Sequence, residues 1–189
     1  MLVLISGAEQ AAQPVQRALE QIGATVIYNG AVGLAGRKAD VYIQLPTLLS
    51  IEQQFAADSL VERVGRFLAD GLLARFRSAA AVLPHLGEGA SVVLVAGNSP
   101  VPGTSVDDQA ARGSLLRVLA HALRAEEAPR RLRVRVLAHD SSPDAIARCA
   151  AGEDVSASSA SGPPAGSSDV DMSYADWRTE VLGLAQVQF

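Results

Sequence analysis

Three histidines, His85, His121 and His139, and one cysteine, Cys149, are the side chains here that could bind a metal or move a proton near neutral pH. Their spacing fits no zinc pattern and two of them fall at predicted helix ends, so no metal site is expected. His121, on a helix face, reads as a packing or interface residue. Asp107 and Asp108 open one predicted helix, and Asp144 follows Ser142-Pro143 at the start of another. Carboxylates there satisfy the N–H groups and dipole of a first turn, which outweighs a catalytic pair. Lys38 is the only lysine, so a mechanism that needs one has a single candidate. The basic run Arg130-Arg-Leu-Arg133 leads into a predicted strand and reads as solvated charge.

The amino terminus carries the most informative arrangement. Leu2-Val-Leu-Ile-Ser-Gly7 is a short apolar strand that runs through a turn into a helix near Val15–Ile22, and Gly23-Ala-Thr-Val-Ile27 starts a second strand. In a dinucleotide-binding unit, glycines in such a turn let the backbone approach a pyrophosphate and leave the helix N-terminus facing it. Only Gly7 remains here. Ala11 and Gln13 stand near the positions of further glycines, and Pro14 removes a backbone donor from the start of the helix.

The elements that would hold these residues alternate along the chain. Val3–Ser6, Thr25–Tyr28, Val41–Leu45, Ser91–Ala96 and Leu132–Ala138 read as buried parallel strands. A long helix is predicted from about Ser59 to Leu83, and another from about Asp107 to Ala125. The alternation predicts an α/β fold with a doubly wound, Rossmann-like parallel sheet. The second strand reaches the third through only Asn29–Ala39, too little chain for a helix and a further strand, so about five strands are expected. Residues 1–151 form this domain. Residues 152–168, rich in Ser, Gly and Pro, read as a linker, and 169–189 as an amphipathic helical tail carrying Trp177, with Ser173 and Asp176 as a capping box.

Composition narrows the function. A net charge of −4 argues against a nucleic-acid or anionic-membrane surface, and 4% aromatic residues leave little for base stacking. No run approaches a membrane span and nothing reads as a secretory signal, so a soluble, cytoplasmic protein is expected.

Taken together, residues 1–150 resemble a short-chain dehydrogenase/reductase. Ala39-Asp-Val-Tyr-Ile-Gln-Leu-Pro46 is similar to the strand where that family carries Asp-Val-Leu-Val-Asn-Asn-Ala-Gly. Ala79-Ala-Ala-Val-Leu-Pro-His-Leu-Gly-Glu-Gly-Ala-Ser-Val-Val-Leu-Val95 resembles the end of the family's long interface helix and its next strand. Leu115–Arg124 followed by Leu132–Ala138 resembles the next helix and strand. The resemblance implies an NAD(P)-dependent oxidoreductase, yet its functional positions carry other residues. Gln44-Leu-Pro-Thr47 replaces Asn-Asn-Ala-Gly, the serine position falls near Gly97, the tyrosine near Ser105 and its lysine near Gln109. No Tyr-x-x-x-Lys occurs anywhere, since the residue four before Lys38 is Leu34. A hydroxyl such as that of Ser105 cannot replace a tyrosine acid assisted by lysine.

These features give the expectation of a catalytically degenerate, short-chain-dehydrogenase-like protein that needs no cofactor. It would act as a structural or regulatory subunit, pairing with itself or with a homologous active subunit. The resemblance implies a dimer or tetramer built on the two long helices, with Val64, Phe67, Leu68, Phe76, Leu119 and Leu123 on the contact surface. The alternative for these residues is that both helices are simply core. Two other functions remain open: an active NAD(P)-dependent enzyme using Tyr42, Asn98 or Ser99, and a small-molecule-binding module around Gly97–Gly103.

Overall fold

The computed structural model describes residues 1–30, 32–46, 59, 62, 73–96, 116–125, 127–138 and 140–153. Five strands, β1 (Leu2–Ser6), β2 (Thr25–Tyr28), β3 (Ala39–Gln44), β4 (Leu86–Val95) and β5 (Arg133–Leu137), form one sheet. Its order is β2-β1-β3-β4-β5 and every pairing is parallel. Among the described residues it is accompanied by the α-helices α1 (Glu9–Gln21), α2 (Leu73–Val82), α3 (116–125) and α4 (Pro143–Ala150). The doubly wound α/β sheet of about five strands is the fold of this chain.

Alternation along the strands builds two cores. Val3, Ile5, Val41, Ile43, Val93 and Val95 face α1 and α4, where Ala12, Val15, Leu19, Ile146 and Cys149 cover them. Leu2, Leu4, Tyr42, Val92, Leu94 and Val134 face the other way, onto Ala79 of α2 and Leu116, Leu119, Ala120 and Leu123 of α3. Strands buried on both faces cannot show polar alternation, which is why they read as continuous apolar runs.

Local chemistry fixes the ends of the elements. Ser142 caps α4 by accepting from the N–H of Ala145 at 3.1 Å, with Pro143 opening the helix and Asp144 in its first turn. Ser59 and Glu62 make reciprocal capping bonds, Ser59 N to Glu62 Oε2 at 2.9 Å and Glu62 N to Ser59 Oγ at 3.3 Å. Such reciprocal bonds are those of a capping box; most of the helix expected from about Ser59 to Leu83 lies outside the described residues before Leu73.

Two expectations need correction. Helix α1 starts at Glu9, not near Val15, so Pro14 lies inside it and not at its start. Gln10 and Pro14 are both exposed, so the carbonyl that Pro14 leaves without a donor meets water. Strand β4 starts at Leu86, not Ser91, because β4 bulges against β3. Ala39 pairs with Leu86 and Val41 with Ser91, and Gly89 within the extra turn of chain takes φ +69°. Among the described residues, no helix is long and apolar enough to cross a membrane.

Leu19 has no exposure and sits where α1, the sheet and α4 meet. Leu19→Ala therefore costs about 3 kcal/mol in denaturant unfolding.

Candidate functional site

The strand order reverses between β1 and β3, since the chain leaves β1 for β2 on one side and returns to β3 on the other. The carboxyl ends of the strands at such a switch point form the crevice where open α/β sheets bind ligands. Here that end holds Ser6, Gly7, Tyr42, Gln44, Leu45 and Pro46, with Val95 and Ala96 on β4 and Arg75 arriving from α2.

These polar side chains are bonded to one another. Ser6 Oγ lies 2.6 Å from the Tyr42 hydroxyl, and Gln44 Nε2 donates to that hydroxyl at 3.2 Å and to the Arg75 carbonyl at 2.8 Å. Arg75 is 4% exposed. Its Nε donates to Gln44 Oε1 at 3.0 Å, and its Nη2 to the carbonyls of Gln44 at 3.2 Å and Val95 at 2.8 Å. The guanidinium thus ties the ends of β3 and β4 to α2.

Burial raises the pKa of Tyr42 above its ordinary value of 10.0, against the lowering effects of Ser6, Gln44 and the Arg75 charge. A phenol made less acidic is a poorer proton donor near neutrality, which weighs against Tyr42 as a substituted catalytic acid. The sign for stability follows. The unfolded tyrosine ionises near 10.0 while the folded one holds its proton, so stability falls as pH rises above that value.

The β1–α1 turn closes on its own chain. A Cβ built on Gly7 would stand 2.7 Å from the Leu45 carbonyl oxygen and 2.8 Å from Leu45 Cβ, and Gly7 has φ +128°. The fold alone therefore requires this glycine. The N–H of Ala8, the residue before α1, donates to the Pro46 carbonyl at 3.1 Å. Ala11 packs against the core, Gln13 is exposed, and Glu9 places a carboxylate in the first turn. From β2 the Tyr28 hydroxyl donates back to the Gly7 carbonyl at 2.8 Å.

Of the other sequence candidates, Gly97, Ser105, Gln109, Asn98, Ser99, Val64, Phe67 and Leu68 lie outside the described residues, as do His139 and Asp107-Asp108. Leu119 and Leu123 are each 4% exposed and pack against the sheet, and Phe76 is half-buried against the same core. Their apolar character is thus used within this chain's own core. Val118 is an exposed large apolar residue of α3. His121 and Cys149 are buried, and no group of His, Cys, Asp and Glu able to hold a metal occurs among the described residues. Lys38 is at the opposite end of the sheet, with Nζ donating to the Pro84 carbonyl at 2.5 Å. Sequence reasoning missed Arg75 altogether. Its signal was Gln44, a polar residue at the end of the buried run Val41–Gln44 of β3, which requires a buried partner.

No protein-family model matches this chain. No curated protein matches it by sequence either. Solved structures do. A mutant Serratia marcescens short-chain dehydrogenase/reductase superposes with TM-score 0.57 at 13% identity over 80% of this chain and 87% of that one. BdcA from E. coli superposes at 0.51 with 17% identity over 80% and 87%. BdcA in complex with NADPH also gives 0.51, at 14% identity over 80% and 85%. At these identities the likeness is one of fold: this chain has the Rossmann-like architecture of short-chain dehydrogenase/reductase structures.

That architecture implies a dinucleotide, which needs a turn open to a pyrophosphate and a carboxylate beyond β2 for the ribose. The described residues do not fit it. Ala8 spends its N–H on Pro46, Glu9 puts a carboxylate in the first turn of α1, and the end of β2 offers Tyr28 and Asn29 in place of a carboxylate.

Gly7→Ala is expected to lower stability by about 2 kcal/mol or more, read as a drop in the unfolding midpoint, because the new methyl group meets backbone that cannot move aside. Tyr42→Phe is expected to flatten the loss of stability above pH 10.0, measured by urea unfolding across an alkaline pH series.

Proposed function

We propose that this chain is a non-catalytic member of the short-chain dehydrogenase/reductase architecture, acting as a structural or regulatory subunit. It associates with itself or with an active oxidoreductase subunit of the same fold, whose shape or stability it supports. The observation that carries this reading is the closed β1–α1 turn: the Ala8 N–H is bonded to Pro46 at 3.1 Å and Glu9 stands at the helix start. The neighbour BdcA has been solved with NADPH. On this chain, the β1–α1 turn is tied to the end of β3 by the chain's own backbone bond.

The buried network supports the reading a second way. Tyr42, the residue best suited to replace the missing acid, is held by Ser6 and Gln44 with its proton harder to release. The family dyad of tyrosine and lysine has no counterpart in sequence, and the sole lysine, Lys38, donates to Pro84 at the far end of the sheet. Both losses remove proton transfer, and each such group typically contributes about 10²–10⁴ in rate.

Titration calorimetry of the purified chain with NAD(H) and NADP(H) is expected to give no binding heat at millimolar cofactor. Binding in the micromolar range, or turnover with a panel of ketones and alcohols, overturns the reading. Capture from the native cell is expected to retain a second subunit of the same fold or a further copy of this chain.

A further inference from the structure

We propose that β2 is a self-association edge, where a second copy of this chain pairs antiparallel across a two-fold axis at Ile27 and extends the sheet through both copies. In the six-stranded arrangement of dinucleotide-binding domains a further strand covers this side. Here β2 is the outermost strand among the described residues.

The backbone register follows from the bonds to β1. Thr25 N donates to the Met1 carbonyl at 2.9 Å and Asn29 N to the Ile5 carbonyl at 2.8 Å. In a parallel pair, alternate residues turn both N–H and C=O to the same side. Thr25, Ile27 and Asn29 therefore face β1, and Val26 and Tyr28 face outward. Among the described residues, no group bonds those outward donors and acceptors. A two-fold pairing sets Val26 against Tyr28 of the partner copy and Tyr28 against its Val26, with all four groups exchanging hydrogen bonds. Ile27 then meets its own mate at the axis as a non-hydrogen-bonded pair.

Charge selects a second copy as the occupant of this edge. From Ile22 to Gly36 no residue is charged, in a chain with 36 charged side chains among 189 (16 basic plus 20 acidic). Symmetry brings like onto like, so a self-pairing edge must be free of uncompensated charge. The opposite edge, β5, carries Arg133 and Arg135 and would set guanidinium against guanidinium. An acidic or basic partner would gain nothing at β2. Its residues Thr25-Val-Ile-Tyr28 are β-branched or aromatic, without lysine, proline or bulge to protect the edge. Beside it Ile22 is an apolar side chain 50% exposed.

The test uses the full chain. Ile27→Cys puts two thiols across the axis, where opposed Cα atoms stand about 4.5 Å apart and a disulfide can close. Mild oxidation is expected to give a disulfide-linked dimer, while the unsubstituted chain, whose one cysteine is the buried Cys149, gives none. Val26→Pro removes an outward N–H and leaves the bonds to β1, and is expected to raise the dimer dissociation constant at least about tenfold in sedimentation equilibrium. A chain that stays monomeric at all concentrations overturns the proposal. So does a dimer linked by Val118→Cys on α3 and not by Ile27→Cys, and that result would leave helix-mediated association intact. Linkage at Ile27 together with cofactor binding would do the reverse, sinking the proposed function and keeping the edge.

Discussion

One buried guanidinium holds together the end of the sheet where function would reside. Arg75 has almost no contact with water, and a charge there is tolerated only if its donors are occupied. Nε and Nη2 are occupied by the carboxyl ends of β3 and β4 and by the side chain of Gln44. Gln44 in turn steadies Tyr42, and Tyr42 reaches Ser6 on β1. Three neighbouring strands and α2 are joined through a single polar chain of contacts. An apolar core alone could slide by small amounts at this end, but these directional bonds fix its register.

Among the described residues, the polar groups at this end of the sheet are bonded to one another. Ligand sites present polar groups whose partners are supplied by the ligand. Around β1 and β3 the partners come from the chain itself, in the Ala8 and Pro46 backbone pair as much as in the side chains. The surviving Gly7 fits the same account, since Leu45 crowds it whether or not a phosphate ever approaches.

Most of the architecture could be read from sequence because buried parallel strands leave short apolar runs with glycine at their ends. β2 was legible to the residue, and the Ser142-Pro143-Asp144 start of α4 was legible as cap chemistry. The errors were at boundaries. Pro14 resembled a starting signal, while an exposed carbonyl let the helix run through it. The strand expected from Ser91 starts at Leu86, because a bulge carries β4 across Gly87 and Gly89. At the site, the lost motifs were legible as absences, but the replacement network was not. Arg75 sits 31 residues from Gln44 and 20 from Val95, and no local pattern reveals a bond of that span. On α3, Leu119 and Leu123 pack inward on the sheet, as the core alternative for these two positions has it.

The order of the strands also sets the order in which the chain can acquire structure during synthesis. β1 has both of its neighbours by Gln44, so a three-stranded piece covered by α1 is complete within the first quarter of the chain. Such a local unit can form as it leaves the ribosome, but one side of β3 then waits for β4, some 40 residues later. Until Val95 emerges, the guanidinium that fastens the crevice lacks one of its two strands. During that interval the nascent chain carries an unpaired edge at each side, and among the described residues later synthesis closes the one at β3.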